Sequence, residues 1–164
     1  MRPRPQPPGP GQVSVWDFPR PPAVEAEPAR VRIEHRGTTV VDTTAAWRVL
    51  ETSHPPVYYV PPSDILAGAL RPSRRTSFCE FKGEAAYLDV QVLDDVLPDV
   101  AWSYAHPSPG FESIAGHVAF YPAPFDRCWV GEEQATPQPG GFYGGWVTSR
   151  YVGPFKGAPG TSGW

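Results

Sequence analysis

Proline and glycine set the limits on what this chain can fold into: 23 of its 164 residues are Pro and 16 are Gly. An interior proline removes a helical hydrogen bond and clashes with the turn before it, so a chain punctuated this often has little room for long helices. Short strands joined by turns are the expected elements. The length suits one domain, because a chain of this size buries roughly two thirds of its unfolded surface. Parallel doubly wound sheets need crossover helices, which leaves an antiparallel sheet folded on itself.

Residues 1–12, MRPRPQPPGPGQ, favour extended polyproline conformations and cannot bury a core, so a disordered arm is expected there. The folded part starts near residue 13. From Arg30 to Arg36 polar and apolar residues alternate, Gly37-Thr38 turns, and Thr39 to Asp42 returns. This is a hairpin with Val31 and Ile33 inward and Arg32, Glu34 and Arg36 outward. Thr43-Thr44 ahead of AAWRVLE reads as an N-cap and a short helix, and Ser63-Asp64 caps a second, ILAGAL. Val57 to Val60, held between two Pro-Pro pairs, reads as a short strand near a sheet edge. Further strands are expected at 76–81, 84–92, 100–104, 117–121 and 127–130. The expected fold is therefore mainly β: antiparallel strands in a small barrel or tent-like domain over 13–131, with two short helices. The tail, 132–164, is rich in Gly and Pro but carries Phe142, Tyr143, Trp146, Tyr151, Phe155 and Trp164. A solvated linker has no use for six aromatics, so the tail is expected to pack on the domain or on a partner, a second copy of the chain included.

With 14 basic and 17 acidic side chains the net charge is −3, which gives no field to attract nucleic acid or an anionic membrane. The N-terminus has no apolar signal-peptide core and no stretch of about 18 apolar residues occurs, so a cytoplasmic location is expected. Cys79 and Cys128 form neither a CxxC pair nor a Cys/His set at metal-ligand spacing, so no metal, disulfide or cofactor is expected.

Two clusters carry candidate chemistry. The first is Arg74, Arg75, Cys79, Glu80, Lys82 and Glu84. Strand alternation would point Cys79 and Phe81 one way and Glu80 and Lys82 the other, with Cys79 a small buried hydrophobe and Lys82 paired to Glu80. The second is aromatic: Tyr58, Tyr59, Tyr87, Trp102, Tyr104, Phe120 and Tyr121 lie on four expected strands. Such residues fill cores, but Tyr and Trp also keep a polar tip that can orient a ligand. A concave sheet with Tyr58, Tyr87 and Trp102 around Lys82 would suit a small planar or anionic metabolite. His54 and His106 sit near prolines and are expected to be solvated, and a Cys79–His117 dyad is the one nucleophile–base pair worth testing.

The ordered motifs PPVYYVPPSDI at 55–65, TSFCEFKGEAAYLDV at 76–90 and VAWSYAHPSPGFESIAGHVAFYP at 100–122 resemble the DUF427 family. The tail GGFYGGWVTSRYVGPFKGAPGTSGW is similar to the C-terminal extension of its actinobacterial members. The resemblance implies a bacterial protein with a compact, tent-like β fold of the Mss4-like kind. The family also carries a nucleotidyltransferase label, yet neither a GxxxxGK[ST] loop nor a GS…DxD cluster is present. Where the family has a CPYKG core, Glu80 replaces Pro and Phe81 replaces Tyr. Three readings follow: a small-molecule-binding domain using Tyr58, Cys79, Lys82, Tyr87, Trp102 and Tyr104; an interaction module working through the Pro-rich arm and aromatic tail; and an enzyme with nucleotide or thiol chemistry at Cys79 and Lys82.

Overall fold

The computed structural model describes residues 2–164; Met1 of the expected arm lies outside them. In chain order the strands are β1 (Val13–Ser14), β2 (Ala23–Glu27), β3 (Val31–His35), β4 (Thr38–Thr43), β5 (Ala46–Leu50), β6 (Val57–Val60), β7 (Leu70–Cys79) and β8 (Gly83–Val92). They continue as β9 (Asp95–Ser103), β10 (Val118–Phe120), β11 (Arg127–Val130), β12 (Glu133–Gln134), β13 (Thr136–Pro137), β14 (Trp146–Val147) and β15 (Tyr151–Val152). Seven strands form an antiparallel sheet in the order β2-β5-β6-β10-β9-β8-β7, and four form a second in the order β12-β11-β3-β4. The fold is mainly β and antiparallel, and neither sheet closes into a barrel.

The hairpin β3–β4 carries the expected alternation: Val31 and Ile33 are wholly buried while Arg32 and Glu34 are half-exposed. Neither expected helix forms. AAWRVLE supplies β5 because Ala46–Leu50 is flanked by two partners, β2 along 23–27 and β6 along 57–59, and ladder bonds outweigh a weak local helical pattern. ILAGAL is a turn in which Ile65 bridges Val41, and Gly68 takes φ +76°. Among the described residues the only helices are three short 3-10 turns, Val15–Asp17, Pro62–Asp64 and Glu112–Ile114. Nor is β6 near an edge. Its Pro-Pro pairs fall outside the ladder, so Val57–Val60 pairs on both sides, with β5 and β10.

The large sheet has two unlike faces. Tyr58, Val60, Ala101, Val118 and Phe120 meet Val31, Ile33, Val40 and Val41 of the smaller sheet in one continuous core, closed by Trp146 from the tail. Tyr59, Tyr87, Trp102 and Ala119 point the opposite way, toward loops that include Phe111 and Ile114. Tail and arm also touch: Val13 and Ser14 pair in parallel with Tyr151 and Val152, and the Gln6 amide donates to the Gly153 carbonyl at 2.8 Å. Residues 2–9 have no regular secondary structure.

Candidate functional site

The loop-covered face of the large sheet holds a cavity of about 320 Å³. Its floor is one row of side chains across four strands: Tyr59 lies opposite Ala119, Ala119 opposite Trp102, and Trp102 opposite Tyr87. The small Ala119 leaves a gap across which Trp102 Nε1 donates to Tyr59 Oη at 3.2 Å. Arg75 on β7 lies over the Tyr87 ring at 4.3 Å, and the Ser77 hydroxyl sits 3.2 Å from the Tyr87 hydroxyl. These contacts fix the rings as a pre-formed apolar floor with polar tips at its margin.

Lys82 enters from the side. Glu80, Phe81 and Lys82 form the turn of the β7–β8 hairpin, and Gly83 follows at φ +100°, a conformation suited to glycine. The turn breaks the strand alternation, so Lys82 and Cys79 both line the cavity instead of facing apart. Lys82 is only 8% exposed, and its ammonium lies 3.6 Å from Glu51 and 6.0 Å from the Tyr104 ring centre. The expected Lys82–Glu80 pair is not made, because Glu80 is at the exposed apex of the turn.

Glu51 and His54 come from the bend between β5 and β6, where the His54 amide donates to the Glu51 carbonyl at 3.0 Å. Their side chains also meet, His54 Nε2 lying 3.0 Å from Glu51 Oε2. Burial alone would push the Glu51 carboxyl up, but the hydrogen bond from His54 and the charge of Lys82 outweigh it and hold the group at about 2. Glu51 is therefore a carboxylate at any ordinary pH, and it faces the Lys82 side chain at 3.6 Å. On the far side of Lys82, burial pushes the Tyr104 hydroxyl up, so that group stays neutral.

The tail completes the wall. Gln138, Phe142, Tyr143 and Gly144 line the cavity opposite the sheet. At Gly144 the chain crosses so close to Trp102 that a Cβ would overlap the indole ring. The Tyr143 ring packs edge-on to His54 with 4.6 Å between centroids, and Gln138 Nε2 donates to His54 Nδ1 at 2.9 Å.

Of the six residues singled out from sequence, Cys79, Lys82, Tyr87, Trp102 and Tyr104 converge on this cavity and Tyr58 does not. Tyr58 faces the inter-sheet core against Trp146, and the next residue, Tyr59, takes the place expected of it. His117 lies outside the cavity with Nδ1 3.2 Å from the Ala115 carbonyl oxygen, so the Cys79–His117 dyad does not form. His54, expected to be solvated, is 8% exposed. Sequence reasoning missed Glu51, His54 and Gln138. The first two stood three apart before Pro55-Pro56, a spacing that a tight bend brings together, whereas nothing local marked Gln138.

A search among curated proteins finds no match. The family model described as a domain of unknown function, DUF427, matches residues 23–131. That segment holds the cavity floor, Lys82 and the Glu51–His54 bend, while Gln138 to Gly144 lie beyond it. Because the match spans more than half of its length, the chain belongs to the DUF427 family.

Proposed function

We propose that this protein binds a small planar anion in the aromatic cavity, with Lys82 as the charge that receives it. The observation that carries this reading is a nearly buried ammonium whose nearest carboxylate is 3.6 Å away, beyond good hydrogen-bond range, in a pocket floored by Tyr59, Tyr87 and Trp102. An ammonium has three donors, and the Glu51 carboxylate at 3.6 Å leaves room for an anion in the cavity to accept from the others. Arg75 at the mouth adds a second positive charge, and the flat rings favour a ligand with a conjugated face. The cavity volume is at the small end of metabolite pockets, suited to a single-ring or two-ring carboxylate or a small phosphate ester.

Reaction chemistry has less support. The Lys82 amine faces the Glu51 carboxylate at 3.6 Å and has no hydrogen bond to His54 or Cys79, and both ring nitrogens of His54 are engaged, leaving no free imidazole nitrogen for Cys79. Association through the tail has one specific observation in its favour: Phe142 on the tail and Phe78 across the mouth are 71% and 79% exposed. A second copy or another protein would cover them. Sedimentation of wild type against Phe142→Ser checks this, a concentration-dependent dimer in the first alone being the supporting result. The same reading takes the fold as a variant of the Mss4-like tent and the protein as bacterial and cytoplasmic; two sheets leaning over one core support the first of these.

A thermal-shift panel of benzoate, 2-naphthoate, nucleoside monophosphates and sugar phosphates tests the binding reading. A ligand at about 100 times its Kd adds roughly 2.7 kcal/mol, enough to raise Tm by several degrees. The expected result is a shift with a planar anion that disappears in Lys82→Met and in Trp102→Ala; a flat panel, or a shift unchanged in both variants, would overturn it.

A further inference from the structure

The wall formed by Gln138 to Gly144 is tied down through the Gln138 side chain, which also meets His54. Gln138 Oε1 accepts from the Gly145 amide at 3.0 Å, and Gln138 Nε2 donates to the Lys156 carbonyl at 2.7 Å. Those two backbone groups fix which end of the side-chain amide is which. The same Nε2 lies 2.9 Å from His54 Nδ1, so Nδ1 is the acceptor and the imidazole proton sits on Nε2, donated to Glu51. Gln138 is 2% exposed, so water does not substitute for these partners. With the amide held this way round, His54 Nδ1 meets a donor and has no acceptor for a proton of its own.

We propose that the segment from Gln138 to Gly145 is a pH-operated gate over the cavity, closed on neutral His54 and released when His54 takes a second proton. A proton on Nδ1 would aim N–H at N–H across 2.9 Å. Flipping the Gln138 amide offers no escape: it gains one bond to His54 and loses two, setting NH₂ against the Gly145 amide and oxygen against the Lys156 carbonyl. The charged groups around His54 divide. Glu51 favours the imidazolium, while Lys82, 3.6 Å from Glu51, competes for that carboxylate, and Lys156, 5.6 Å from the centre of the Tyr143 ring that packs on His54, adds a second positive charge on the tail side. The gate therefore opens only when acid places that second proton on Nδ1. Gly144 and Gly145 permit only the closed path at close range, since a Cβ at either would overlap Trp102 or Gln138 and Pro55. The proposal rests on the binding reading only in treating the cavity as the thing gated; the gate itself stands on the hydrogen-bond network.

Amide hydrogen exchange of the full chain at pH 8 and pH 5, corrected for intrinsic rates, tests the gate. The expected result is a loss of protection of at least tenfold in peptides covering 138–147 at pH 5, with 57–60 unchanged. His54→Gln should remove the pH dependence, and Gln138→Glu, whose carboxylate accepts from the imidazolium, should remove or reverse it. Equal protection of 138–147 at both pH values in wild type, or the same pH dependence in His54→Gln, would overturn the proposal. Should His54→Gln not fold, Gln138→Glu decides alone: an unaltered pH response in that variant overturns it. A gate that opens as expected while 2-naphthoate binds at neither pH would leave the gate standing and sink the binding reading.

Discussion

Tyr58 and Tyr59 are neighbours in the chain and live in different environments, and the contrast between them separates scaffold from site. Tyr58 points into the core between the sheets, where Trp146 packs edge-on at 5.3 Å and Val31, Ile33, Val40 and Val41 fill the remaining space. Tyr59 points to the face covered by bends and tail, where irregular segments cannot tile a flat sheet and a cavity remains. The same residue types thus act as packing on one face and as a ligand floor on the other. What differs is the covering layer: a second sheet interdigitates with the first, and loops do not.

The comparison breaks most visibly at Trp146. It is 1% exposed, packs edge-on against Tyr58 and donates its indole N–H to the Phe120 carbonyl at 3.0 Å. Trp146→Ala should cost about 3–5 kcal/mol in urea unfolding, whereas Trp102→Ala, whose ring already borders empty space, should cost markedly less. Equal losses would mean that the two faces are packed alike.

Next in size is Glu51. Its carboxyl ordinarily titrates near 4.5 and is held at about 2 in the folded protein. A group depressed in this way stabilises the fold above its unfolded value, and that contribution disappears as the pH falls toward 2. It amounts to at most about 3.4 kcal/mol, an upper limit because the side chain keeps 31% exposure. Glu51→Gln should therefore flatten the stability profile between pH 5 and pH 2 relative to wild type; parallel profiles would show that the site does not hold Glu51 ionised.

The two tyrosine hydroxyls sharpen the contrast further. Tyr58 Oη is buried without a hydrogen-bond partner among the described residues, while Tyr59 Oη accepts from Trp102. Tyr58→Phe should be neutral or stabilising by up to about 1 kcal/mol, and Tyr59→Phe should cost about 1 kcal/mol by leaving the indole N–H unpaired. Unfolding midpoints that move in the same direction would contradict the assignment. Smallest of all, Phe142→Ser at the exposed mouth should change stability by less than about 0.5 kcal/mol.

Much of the scaffold was legible from local pattern. Alternation at 30–36 and the Gly37 turn pointed to the β3–β4 hairpin, and β-branched and aromatic runs marked β6, β8, the second half of β9, β10 and β11. Local pattern was silent on partners, and so it misread AAWRVLE, whose two flanking strands are 20 or so residues away in one direction and 10 in the other. It also extended strand alternation through Glu80 to Lys82, where a turn reverses the chain and brings Lys82 into the same cavity as Cys79. The aromatic and lysine character of the site could be read from composition along the strands. Its electrostatic half could not, because His54 and Gln138 are 84 residues apart and meet only once the tail has folded back.

The central claim is that Lys82 receives an anion in this cavity. Calorimetric titration of 2-naphthoate and of its uncharged carboxamide, each into wild type and Lys82→Met, tests it most directly. The account predicts that wild type prefers the carboxylate by at least tenfold and that Lys82→Met, still folded by circular dichroism, loses that preference. Equal affinity of wild type for the acid and the amide, or a preference that survives in Lys82→Met, would contradict it.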